Sequence, residues 1–159
     1  MSPIDATPPT PRPTRRRLLW VGGIAALAAG AGVVGMATTR DRFAGTEMTP
    51  PEALAAARDG TIHLIDIRRP DEWAETGIPQ GATPIDMRRD DFVAALLQAT
   101  GGARDVPVAL ICARGVRSDR MSARLAAAGF DRVVDVPEGM LGSRAGPGWL
   151  ERGLPVARP

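Results

Sequence analysis

Val106-Pro107-Val108-Ala109-Leu110-Ile111-Cys112-Ala113-Arg114-Gly115-Val116-Arg117-Ser118 joins an apolar run to the start of an amphipathic segment. Val106 to Ile111 has the length and β-branched content of a buried strand, and from Ser118 to Ala128 the helical period places Met121, Leu125 and Ala128 on one face. Cys112, the only cysteine of the chain, therefore stands at the carboxyl end of a strand and ahead of a helix. The residues between curl into a short loop whose backbone N–H groups point inward, and the positive end of the following helix adds to them. Such a cradle binds anions and favours an anionic sulfur, and flanking arginines strengthen it.

Working outward, helix and strand signals alternate. Thr49-Pro50-Pro51-Glu52 supplies an N-cap, proline in the first turn and a glutamate three residues on, so a helix is expected over 50–58. A strand follows over 62–67, a helical turn over 71–76, a short strand over 83–86 and a helix over 90–100. Asp90 and Asp91 suit the dipole of that last helix. Beyond the Ser118 helix come a strand over 132–136 and a glycine-rich tail with a turn of helix around Trp149. This alternation predicts an α/β domain with a small parallel sheet flanked by helices, and right-handed crossovers put Cys112 at the carboxyl edge where such sheets hold ligands.

The loop Cys112, Gly115, Arg117, Ser118 matches Cys-x-x-Gly-x-Arg-Ser, and at these residues the chain resembles the rhodanese family of sulfurtransferases. Upstream, Leu64-Ile65-Asp66-Ile67-Arg68, Pro70-Asp71-Glu72-Trp73 and Gly77-Ile78-Pro79-Gln80-Gly81-Ala82 are similar to three further family motifs, without the histidine that often follows Gly77. Downstream, Gly153-Leu154-Pro155-Val156 matches the closing element, so the resemblance covers 48–159. It implies that Cys112 attacks a sulfane sulfur and carries it as a persulfide from a small anionic donor, such as thiosulfate, to a thiol or cyanide-like acceptor. The backbone of Ala113, Arg114, Gly115, Val116, Arg117 and Ser118 would hold the sulfur, and the Arg117 and Arg114 side chains would attract the donor. Asp66 and Arg68 would organise the loop by hydrogen bonds. A sulfur-relay or binding module that keeps the fold and the thiol is the competing reading.

Other chemistries fit less well. Cysteine phosphatases place five residues between Cys and Arg, one more than separate Cys112 from Arg117, and one residue is worth about 3.3–3.6 Å of extended chain. The shorter loop suits a sulfur atom better than a tetrahedral oxyanion. His63 is the sole histidine and lies in a strand, so neither a Cys-His hydrolase nor a metal cluster is expected, and no cofactor is implied. Trp73 and Trp149 read as packing residues.

All 20 basic residues are arginine, and they are unevenly placed. Arg12, Arg15, Arg16 and Arg17 face one acid, Asp5, in the first 37 residues, leaving 16 arginines against 17 acids in the other 122. With no basic stripe in the domain, a nucleic-acid partner is not expected. Residues 1–14 hold five prolines and read as a disordered tail. Residues 15–37 contain 20 uncharged positions from Leu18 to Ala37 behind the arginines, enough for one hydrophobic helix to span a bilayer. Thr14-Arg15-Arg16-Arg17-Leu18-Leu19 is similar to a twin-arginine export signal, a general secretory signal being the alternative. Residues 38–47 read as a linker. The expectation is a domain delivered by export machinery to the periplasmic side of a bacterial inner membrane, either cleaved and soluble or anchored in the membrane by that segment.

Overall fold

The computed structural model describes residues 42–158. The expected tail at 1–14 and hydrophobic helix at 15–37 lie outside them. Among the described residues, no helix is long and apolar enough to cross a membrane.

The elements in chain order are β1 (Thr46–Glu47), α1 (Pro50–Arg58), β2 (His63–Asp66), α2 (Pro70–Thr76), β3 (Ile78–Pro79) and β4 (Ala82–Pro84). After them come α3 (Phe92–Ala99), β5 (Val108–Ile111), α4 (Val116–Ala127), β6 (Val133–Asp135), α5 (Gly148–Glu151) and β7 (Val156–Ala157). Five strands form one parallel sheet in the order β1-β6-β5-β2-β4, and β3 pairs antiparallel with β7 beside it. The α/β class and the helix over 50–58 are as expected. Glu52 accepts a 2.7 Å bond from the Thr49 N–H, which caps that helix.

Side-chain alternation divides the core between the two faces of the sheet. On one face Ile65, Ile67, Val108, Leu110 and Cys112 pack with Phe92 and Leu96 of α3 and Met121 and Leu125 of α4. On the other Leu64, Ala109, Ile111 and Val134 pack with Ala53 and Leu54 of α1 and Trp149 of α5. The sheet is buried from both sides, and the central β5 is buried at every residue.

Three readings change. The linker expected over 38–47 enters the fold at its far end: Thr46 and Glu47 pair with Val134 and Asp135, and Phe43 packs against the core. A two-residue strand with both side chains exposed carries no hydrophobic period to betray it. The expected loop Ala113 to Ser118 stops at Gly115, because that glycine takes φ +81° at the N-cap and the helix begins at Val116. At the other end of α4, Ala128 is exposed, because the helix has already ended at Ala127.

Candidate functional site

The register aligns the carboxyl ends of the central strands. Asp66 of β2 stands opposite Ile111 of β5, and Leu110 opposite Asp135 of β6. Cys112 follows β5 directly and is 1% exposed, with its sulfur under the first turn of α4. The thiol donates to Ser118 Oγ at 3.5 Å, the Ser118 backbone N–H donates to the sulfur at 3.4 Å, and the Ser118 hydroxyl donates to the Gly115 carbonyl at 3.0 Å.

The loop over the sulfur is tied down from outside. Met140 N–H donates to the Cys112 carbonyl at 2.9 Å and Leu141 N–H to the Ala113 carbonyl at 2.8 Å. Gly115 is confined by its neighbours as well as by its φ: a Cβ there would collide with the Pro137 carbonyl oxygen. Among the described residues, the N–H groups of Ala113, Arg114, Gly115, Val116 and Arg117 meet no protein acceptor. Five consecutive donors without a protein acceptor, in the loop that begins at Cys112, leave that loop able to receive an anion.

Arg117 is held rather than free. Its two terminal nitrogens donate to the two oxygens of Glu72 at 2.7 and 2.6 Å. The bond from Arg117 is the chief reason the Glu72 carboxyl is lowered to about 2, with the Arg69 N–H and guanidinium adding to it. In return Glu72 raises Arg117, and the neighbouring Cys112 raises it further. Arg114 is exposed and turns away from the sulfur, donating to the carbonyls of Leu141 and Gly142 at 3.4 and 3.3 Å. Val116 is exposed and contributes backbone only.

Asp66 and Arg68 form a buried pair, 2.7 Å apart at the closest atoms. Their hydrogen bonds do not go to the cysteine loop as expected. Arg68 donates to the Glu72 carbonyl, the Thr76 hydroxyl and the Gly77 carbonyl at 3.2, 2.7 and 2.6 Å, fixing the carboxyl end of α2. Since α2 carries Glu72, the pair reaches Arg117 through one helix. His63 is exposed at the start of β2, at the opposite end of the strand from Asp66. Among the described residues, no cluster of His, Cys, Asp or Glu is arranged to hold a metal ion.

Two acids around the site were not assigned roles from sequence. Glu138, 2% exposed, accepts from the Gly148 N–H at 2.9 Å and pairs with Arg152 at 2.8 Å, and that pairing lowers its carboxyl. It braces the loop that carries Met140 and Leu141. Asp135, 1% exposed, is raised to about 6, above all by burial. A charged residue in a short apolar strand is the signal that marks it.

The model of the rhodanese-like domain family matches residues 49–144. None of the curated proteins matches the chain. Among solved structures, the polysulfide-sulfur transferase homodimer of Wolinella succinogenes is 26% identical, with a TM-score of 0.57 over 72% of this chain and 79% of that one. A rhodanese-like domain protein from Staphylococcus aureus is 25% identical, with a TM-score of 0.52 over 71% of this chain and 99% of that one. A protein of Rhodopseudomonas palustris described as a possible tyrosine phosphatase shares the fold at 22% identity, with a TM-score of 0.53 over 70% and 84% of the two chains.

Proposed function

Since the chain belongs to the family of rhodanese-like domains, we propose that it is a sulfurtransferase working through a persulfide on Cys112. The observation that carries this reading is the run of five N–H donors without a protein acceptor, Ala113 to Arg117, in the loop between a sulfur and the Ser118 N–H that donates to it. An anionic terminal sulfur on Cys112 supplies the acceptor these donors lack.

In the first half-reaction the Cys112 sulfur attacks the outer sulfur of thiosulfate or of a persulfide. One S–S bond forms, the donor's S–S bond breaks, and its electron pair leaves on sulfite or a thiolate. In the second, a thiol or cyanide attacks the outer sulfur and the electron pair returns to Cys112. The cradle offers its donors to the charge that develops on the sulfur, with Arg117 held by Glu72. The fold likeness to a polysulfide-sulfur transferase supports a sulfane donor in general. Residues 15–37 are the proposed export signal or anchor, and the domain works on the periplasmic side of a bacterial inner membrane.

The test is intact mass of the full chain after thiosulfate or polysulfide, with and without cyanide, beside Cys112→Ser. One added sulfur that cyanide removes and the variant lacks is expected. A Cys112 that alkylates but takes sulfur from neither donor would overturn small-molecule transfer and leave a module that receives sulfur from, or binds, a protein partner.

A further inference from the structure

Two segments distant in sequence meet at the loop that follows Cys112. Leu141 N–H donates to the Ala113 carbonyl at 2.8 Å, and the Arg114 guanidinium reaches the carbonyls of Leu141 and Gly142. The Ser143 hydroxyl donates at 2.7 Å to the Pro137 carbonyl, the same carbonyl that closes against Gly115. The turn from Ser143 to Gly146, which carries Arg144, is thereby tied to the loop.

Cys112 is 1% exposed and packs into the core on one side, so a macromolecule that exchanges sulfur with it comes against these two segments. The large side chains they expose are Arg114, Val116, Leu141 and Arg144. Four large apolar side chains stand exposed among the described residues, and two of them, Val116 at 59% and Leu141 at 43%, are here. The apolar exposure is thus gathered at the site more than it is scattered.

The charge is one-sided as well. Residues 113–117 and 139–147 hold three arginines and no acid. Arg117 is taken by Glu72, and the neighbouring Glu138 is buried against Arg152. Arg69, Arg88 and Arg89 are each bound to a carboxylate, whereas Arg114 and Arg144 have none among the described residues. The uncompensated charge therefore lies on the outer surface, with Arg114 turned away from the sulfur. Such a surface suits a partner that brings carboxylates and apolar side chains along with its thiol.

We propose that the acceptor of the Cys112 sulfur is a protein whose cysteine lies in an acidic and apolar surface, and that Arg114, Val116, Leu141 and Arg144 dock it. The partner's thiolate attacks the outer sulfur of the Cys112 persulfide. An S–S bond forms on the partner, the bond to Cys112 breaks, and its electron pair stays on the Cys112 sulfur. An anionic membrane would meet the same arginines, but it offers no thiol to the loop they flank. This assignment rests on the sulfur-transfer reading of Cys112.

The test uses the full chain loaded with sulfur, counted by mass, and two leucine-containing cysteine peptides that differ only in having aspartate or asparagine around the cysteine. Carboxylates next to a cysteine raise its pKa and leave less thiolate, so without docking the acidic peptide is the slower acceptor. The acidic peptide should instead take the sulfur about tenfold faster at low salt, an advantage that shrinks as salt rises. In Arg114→Glu combined with Arg144→Glu the preference should reverse. Should that variant fail to fold, Arg144→Glu alone, which keeps the Arg114 bonds, should reduce it. Serine in place of the peptide leucines should slow transfer from wild type and make little difference to Leu141→Ser. Loaded protein that yields its sulfur to cyanide, but to the acidic peptide no faster than to the neutral one, overturns the docking surface and leaves sulfurtransfer intact. A peptide preference indifferent to Arg144 does the same. Sedimentation with phosphatidylglycerol vesicles that Arg144→Glu abolishes, without any peptide preference, makes the patch a lipid face and overturns the proposal. If wild type gains no sulfur from thiosulfate or polysulfide, the function and the docking fall together.

Discussion

Glu72 and Arg117, 45 residues apart in the chain, meet through two parallel bonds of 2.7 and 2.6 Å beside Cys112. A planar guanidinium in this arrangement has its direction fixed as well as its charge. Glu72→Gln removes the charge and one acceptor. It is expected to slow sulfur loading about tenfold, a guanidinium misplaced next to reacting atoms being costly, and Arg117→Lys, which keeps the charge but loses the paired bonds, should slow it as well, as single-turnover mass measurements will show.

The same pair gives a pH signature. The Glu72 carboxyl is lowered from its ordinary 4.5 to about 2, so its contribution to stability is complete above 4.5 and is lost as pH falls toward 2. The pair is partly exposed, so about 1 kcal/mol is expected. Denaturant titrations of wild type and Glu72→Gln should differ by that amount at pH 5–7 and converge near pH 2.

Asp135 has the opposite sign. Its folded value near 6 lies above the ordinary 3.8, so its stability contribution is present below 3.8 and lost as pH rises through 6. Relative to wild type, Asp135→Asn should gain about 2 kcal/mol between pH 4 and 7. A stability difference that does not vary over this range would contradict the burial of an ionisable carboxyl at the end of β6.

Arg68→Ala leaves Asp66 buried without its partner and removes three bonds to the end of α2. A loss of about 3–5 kcal/mol is expected from thermal or denaturant unfolding. Hydrogen exchange in residues 70–77 should rise in the same variant, since Arg68 holds that segment.

Gly115→Ala places a Cβ against the Pro137 carbonyl at a positive φ. Both effects act on the start of α4, so a loss of more than about 2 kcal/mol and of sulfur loading is expected. Arg114→Ala, by contrast, removes only two long bonds to the Leu141 and Gly142 carbonyls and should change loading less than about twofold.

Much of this arrangement is visible in the sequence where it is local. Thr49 and Glu52 mark α1 because a capping box lies within one turn, and Val108 to Ile111 marks β5 because a strand buried on both faces is apolar throughout. What the sequence conceals is long-range. Thr46 and Glu47 become a strand only because β6, nearly 90 residues later, leaves an open edge, and β3 and β7 are two-residue strands that define each other. The cysteine loop follows from its motif, but Glu72 as the partner of Arg117 does not, since nothing in Pro70-Asp71-Glu72 says which arginine it faces. Asp66 and Arg68 were expected at the loop, and their adjacency conceals that the guanidinium reaches forward to α2.

The bonds from Met140 and Leu141 to the carbonyls of Cys112 and Ala113 have a mechanical meaning. A peptide unit is planar, so anchoring its oxygen on one side aims its N–H to the other. The Ala113 and Arg114 amides therefore cannot swing round when the sulfur changes charge. The cradle keeps its polarity through the cycle, and the tail segment from Glu138 to Arg152, remote in sequence from the cysteine, acts as the clamp that stops the loop from turning inside out.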